Sequence, residues 1–110
     1  MLFTSLSDLK NLNDFRFAFR YYNQFLQRLI DETAQTGIEI ITEVTLPPKC
    51  TPRELSICFI HGKGLYAVAL DPDCATYEGK NPELAMLCEG PVSFKSWEDM
   101  TDFFLRMEVM

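Results

Sequence analysis

Two apolar runs, Leu55–Ile60 and Leu65–Leu70, flank His61-Gly62-Lys63-Gly64, and no other stretch of the chain limits the fold as tightly. Short runs rich in β-branched and aromatic residues, joined by a Gly-containing link, specify a β-hairpin. Gly62 suits the first central position of a tight turn. That turn pairs Ile60 with Leu65, Phe59 with Tyr66, Ile57 with Val68 and Leu55 with Leu70. Successive side chains point to opposite sides of a strand. One face then carries Leu55, Ile57, Phe59, Tyr66, Val68 and Leu70. The other carries Ser56, Cys58, Ala67 and Ala69, with Ile60 and Leu65 near the tip. A solvated face alternates with polar groups. Neither face does so here, and both are expected to be covered, the small-residue one by a helix or a second subunit.

The flanking segments supply the partners of this hairpin. Residues 38–46 alternate and read as another strand, with Ile38, Ile40, Val44 and Leu46 on one side and Glu39, Glu43 and Thr45 on the other. Pro47-Pro48 ends it, and with Pro52 stiffens the loop that follows. Upstream, Phe15, Ala18, Phe19, Tyr22, Phe25, Leu26, Leu29 and Ile30 recur at helical spacing. They predict one long amphipathic helix from a cap at Asn13 or Asp14 to about Thr36, stopped by Gly37. Phe17 and Tyr21 stand one turn apart on its wrong side. Either the lead-in, residues 2–12, folds over them, or they form an exposed aromatic pair.

Residues 71–82 read as an irregular acidic loop, and Asn81-Pro82 as a helix start. A short helix over 84–89 is expected, with a strand as the alternative. Residues 91–94 are expected to be extended. Ser96 caps a last helix whose apolar stripe is Met100, Phe103, Phe104 and Met107, with Glu98 and Asp99 in its first turn, where the helix dipole favours acids. The predicted fold is α+β: an antiparallel sheet of three to four strands packed against a long N-terminal helix and a C-terminal helix, in one domain, residues 1–110. Small secretion chaperones have a broadly similar order of elements, a likeness of architecture without a shared residue motif.

The net charge of −6 is unevenly placed. Residues 1–70 balance, whereas residues 71–110 hold nine acids against three bases. An acidic surface repels phosphate backbones and attracts basic partners, which disfavours nucleic acid as a ligand. No apolar run approaches the roughly 20 residues of a membrane span. The first residues carry no basic start or long apolar block, and four cysteines without a close C-x-x-C pair fit a reducing compartment, so a cytoplasmic protein with free thiols is expected.

Catalytic signals are sparse. His61 is the only histidine, which excludes two-histidine metal motifs. Cys58 is the nearest thiol in sequence, but odd spacing sends it to the opposite strand face. Zinc is disfavoured because no ligand pair shares a knuckle. Gly62-Lys63-Gly64 lacks the pattern of a phosphate loop, and Asp71-x-Asp73 lacks the later positions of a calcium loop. No cofactor or metal is expected.

The aromatic content of 13% weighs more, because a small domain cannot hide every ring. The sequence therefore points to a non-enzymatic protein-binding module of adaptor, chaperone, inhibitor or immunity type, with a homodimer expected. Phe17, Tyr21 and Trp97 are its expected anchors, and Glu98, Asp99 and Asp102 its steering charges toward a partner with a basic surface. Two alternatives are a small thiol enzyme using Cys74 or Cys88 with His61, and an acidic nucleic-acid mimic that blocks a DNA-binding protein.

Overall fold

The computed structural model describes residues 3–35, 40–51, 54–62, 65–71 and 76–107. A 3₁₀ turn, Leu6–Asp8, leads into α1 (Leu12–Tyr21) and α2 (Asn23–Ala34). There follow β1 (Ile40–Thr45), β2 (Cys50–Thr51), β3 (Glu54–Gly62), β4 (Leu65–Asp71), β5 (Thr76–Tyr77), α3 (Pro82–Glu89), β6 (Val92–Phe94) and α4 (Trp97–Arg106). Four strands form one antiparallel sheet in the order β1-β3-β4-β6. The class is α+β, with the N-terminal helices and the C-terminal helix packed against this sheet.

The core lies between the helices and one sheet face. Leu55, Ile57, Phe59 and Val68 meet Leu12, Phe15, Phe19, Leu26 and Ile30 from α1 and α2, and Met100, Phe103 and Phe104 from α4. Phe104 ties the layers together. Its ring stacks on Phe19 at 4.6 Å with 13° between planes, and Phe15 and Phe59 lie 6.2 and 6.5 Å away.

The N-terminal helix is not continuous, as the periodicity predicts, but breaks at Tyr22 (φ −129°, ψ 30°). Asn23 gives the physical reason. Its side-chain Nδ2 donates to the Phe19 carbonyl at 3.1 Å, so the side chain competes for the acceptor that helix continuation would use. The apolar stripe passes through the break undisturbed, because Tyr22 N–H still donates to Ala18 O and Leu26 N–H to Tyr22 O, both at 2.8 Å. The bend also lets Phe3 wedge against Tyr22 and Phe25, at 5.1 and 5.5 Å. Thr36 and Gly37, the expected stop, lie outside the described residues.

Asn11 caps α1, rather than Asn13 or Asp14: its Oδ1 accepts the Asp14 N–H at 2.8 Å. Starting the helix here brings Leu12 into the buried stripe. The lead-in then runs along the edge of β1, where Thr45 N–H donates to Lys10 O at 2.8 Å and Thr42 Oγ1 to Leu6 O at 3.3 Å. Backbone pairing of this kind blunts an exposed strand edge. Asp8 fastens the lead-in turn. Its carboxylate accepts the Thr4 and Ser5 backbone N–H groups, which hold it below the usual carboxylate range.

The hairpin forms with its register displaced by two residues. Phe59 pairs with Val68, Ile57 with Leu70 and Gly62 with Leu65. Gly62 is thus a ladder residue and not the first turn position. The shorter connection extends the pairing, and residues 63–64 lie outside the described residues. A shift of two preserves every side chain's face, so the bulky face is the core face, as expected. The pattern misses one feature: Cys50 pairs with Tyr77 and Thr51 with Thr76, making a two-stranded ribbon of β2 and β5 from segments that read as loops. Residues 84–89 are helical, capped by Asn81 Oδ1 on Leu84 N–H at 2.9 Å and closed by Gly90 at φ +156°, a conformation that L side chains rarely adopt. Ser96 caps α4 as expected, accepting Asp99 N–H at 3.2 Å.

Candidate functional site

Of the two covers expected for the second sheet face, a helix is not found among the described residues. The face meets solvent at Glu43, Thr45, Glu54, Ile60, Leu65 and Ser93, and the buried side chains of all four helices belong to the core on the other side. No covering layer stands on it among the described residues. Ile60 is 42% exposed and Leu65 47%. Ile60 pairs with Ala67, two residues beyond Leu65, so the two large side chains are diagonal neighbours on this face. Ala67, Ala69 and Ser56 are half-buried and Cys58 is buried beside them. Glu43 and Glu54 mark the opposite end, across the Ser56 and Thr45 pairings. The result is an apolar patch at the hairpin tip and an acidic end at the base.

The residues singled out as anchors divide. Tyr21 is 65% exposed, and its ring lies 4.9 Å from that of half-buried Phe17, so an outward ring pair exists on α1. Tyr22 adds a third ring, 5.8 Å from Phe17. Trp97 is different and corrects the expectation of an exposed anchor: it is 5% exposed. Its ring packs 5.3 Å from Phe19 and 5.5 Å from Tyr66, and its Nε1 donates to Asn23 Oδ1. Asn23 Nδ2 also reaches Thr101 Oγ1 at 3.0 Å. Trp97 therefore buttresses the α2–α4 contact. The cause is position: one turn ahead of Met100, it extends the buried stripe of α4.

Glu98, Asp99 and Asp102 are all exposed on the outer face of α4. Arg16 reaches the Leu105 carbonyl of α4 at 3.4 Å, and Phe17 stands about 100° further round α1.

Two of the thiols lie together. Cys88 on α3 is half-buried beside Cys50, and burial is the first cause that pushes both thiols up, Cys50 to about 12. A nucleophilic cysteine needs the opposite shift. Cys74 lies outside the described residues. His61 is opposite Tyr66 in the ladder, on the opposite-face register from Cys58. Among the described residues no three His, Cys, Asp or Glu side chains gather as a metal site requires, and no helix is long and apolar enough to cross a membrane.

One concave feature escapes the sequence. A cleft of about 650 Å³ opens between Pro47-Pro48-Lys49 and the segment from Tyr77 to Glu83, with Arg106 of α4 at one end. Its walls depend on the β2–β5 ribbon, for which two residue pairs give no recognisable pattern.

The fold defines a two-layer α+β sandwich with a partly apolar sheet surface that no described element covers. No family model, curated protein or solved structure matches the chain.

Proposed function

We propose that the chain is a non-enzymatic protein-binding module that acts in the cytoplasm and docks a partner protein onto the open face of its sheet. The observation that carries this reading is the pair Ile60 and Leu65, large, adjacent and close to half exposed on a face that no described element covers. Large apolar groups that cluster on a surface mark contact sites, whereas scattered ones need no explanation. Small neighbours at Ala67 and Ala69 let a partner backbone approach closely.

Charge favours a basic partner over a second copy of the chain. Glu43 and Glu54 sit at the base of the same face, and two copies would each bring a net −6. Glu98, Asp99 and Asp102 add to the acidic field that steers such an encounter, and this effect weakens with salt. The Phe17–Tyr21 pair forms a second, smaller contact patch on another flank.

A photo-crosslinking residue at Leu65, with the same residue at exposed Gln24 as control, tests the reading in the host cell. The expected result is one discrete adduct from position 65, identified by mass spectrometry as a protein with a basic surface. Ile60→Ser abolishes that adduct. Identical adducts from both positions, an adduct of two copies of the chain, or no adduct from position 65 would overturn it.

A further inference from the structure

The cleft beside α3 has a chemistry that the protein-binding reading leaves unused. Its volume of about 650 Å³ lies within the roughly 300–1,000 Å³ of small-molecule sites. Its walls are fixed. Pro47 and Pro48 stiffen one side, where Cys50 N–H donates to Pro47 O at 3.0 Å. Glu78 N–H crosses to Lys49 O at 3.0 Å and ties the two walls together. On the far side the Tyr77 ring lies against Gly79, so close that a Cβ there would collide with the phenol end of the ring. The phenol oxygen accepts the Asn81 N–H at 3.0 Å. A preformed wall of this kind spares a ligand the ordering cost of binding.

Charge is distributed against the trend of the chain. Residues 71–110 contain only three bases, and two of them, Lys80 and Arg106, line this cleft. Lys49 joins them from the opposite wall. Arg106 Nε holds Glu83 Oε1 at 3.1 Å, which neutralises that pair. Lys49 and Lys80 then line the cleft with Glu78 as the remaining acid, and among the described residues neither lysine has an ion-pair partner. Around the lysines the surface is apolar: Pro47, Pro48, Pro82 and the Tyr77 ring.

We infer that this cleft binds a small organic anion, a molecule with one carboxylate, phosphate or sulfonate head held between Lys49 and Lys80 and an apolar, ring-sized body laid against the prolines and Tyr77. The site is independent of the sheet face, which lies on the other side of the sandwich from the core helices.

Fluorescence titration of the intact chain with 1-anilinonaphthalene-8-sulfonate tests it, with uncharged N-phenyl-1-naphthylamine as the matched probe. The expected result is saturable sulfonate binding, weakened roughly five- to tenfold in the double variant K49Q/K80Q, while the uncharged probe is unaffected. The double variant I60S/L65S leaves sulfonate binding unchanged. If the lysine variant fails to fold, the wild type still decides. Raising NaCl from about 20 to about 500 mM weakens the sulfonate and not the neutral probe, and the amide signals that move are those of Lys49, Cys50, Tyr77, Glu78, Gly79, Lys80, Asn81 and Glu83. Equal binding by K49Q/K80Q, loss of the signal in I60S/L65S, salt-insensitive binding, or no binding at all would each overturn the proposal. None of these outcomes bears on the crosslinking result at Leu65.

Discussion

The two faces of β3 provide a controlled comparison. Ile57 and Ile60 are the same residue on the same strand, one fully buried in the core and the other 42% exposed on the open face. Ile57→Ala removes fully packed methyl groups and leaves a cavity, at a cost of about 2–5 kcal/mol. Ile60 and Leu65 are already partly solvated, so their folding contribution is smaller and their unspent surface larger. Fully burying an Ile or Leu contributes about 1.5–3 kcal/mol, and with 42% and 47% of their surfaces still exposed, a partner that covers both gains about 1.3–2.7 kcal/mol. That corresponds to roughly 10- to 100-fold in affinity. Urea denaturation of I57A and I60S/L65S at two protein concentrations, with calorimetric titration of the crosslinked partner, reads both quantities. The expected pattern is a large stability loss for I57A and a loss under about 1 kcal/mol per site for the double variant, with partner affinity falling by the stated factor. Equal destabilisation by the two variants would refute the reasoning, because the outer face would then be a second core. Unchanged partner affinity in I60S/L65S would refute it from the other side.

Three further outcomes follow from the packing. Phe104→Ala, which empties the ring stack between α1, α4 and β3, lowers unfolding stability by about 3–5 kcal/mol in denaturant titration; a loss below about 1 kcal/mol would contradict the stacked core. Asn11→Ala costs about 1 kcal/mol because Asp14 N–H loses its acceptor, whereas Asn13→Ala changes thermal stability by no more than about 0.5 kcal/mol; the reverse order would return the cap to Asn13. Stability falls as pH rises above 9, the ordinary thiol value, toward about 12. In the unfolded chain Cys50 and Cys88 ionise while burial keeps the folded thiols protonated, so the unfolded state alone loses protons there. Cys50→Ala reduces this alkaline loss, measured as the shift in urea midpoint between pH 8 and pH 10, and an identical shift in wild type and variant would exclude the thiol as its source.

Much of this architecture is legible because hydrophobic period survives small errors of geometry. The hairpin register moved by two residues, yet no side chain changed face, since the strand period is two. The helix break at Tyr22 was hidden for a related reason. Its stripe continues across the bend, and the only sign is an asparagine in mid-helix whose side chain takes a backbone carbonyl. Trp97 carried a usable signal: with Met100 and Phe104 it completes i, i+3, i+7 spacing, which marks it as core. Its ring size alone suggests an exposed anchor, but the stripe it belongs to is buried. The β2–β5 ribbon carried almost none. Two pairs cannot display a period, and their alignment depends on contacts between segments some 25 residues apart. The cleft inherits this opacity, because its walls are made by that ribbon.

The composition of the open face also bears on how long a complex on it lasts. Ser56, Cys58, Ala67 and Ala69 present little apolar area, so the uncovered face costs the isolated chain little. Among the described side chains Ile60 and Leu65 offer the substantial surface, and their combined gain of about 1.3–2.7 kcal/mol is a fraction of the roughly 8 kcal/mol of a micromolar complex. The balance has to come from polar contacts around Glu43 and Glu54 and from the acidic field of α4, terms that salt weakens. Obligate interfaces are broader and more apolar than this. A face with two anchors, small neighbours and one charged end is therefore suited to an association that forms quickly, is sensitive to ionic strength and releases again, and the chain can remain folded between encounters.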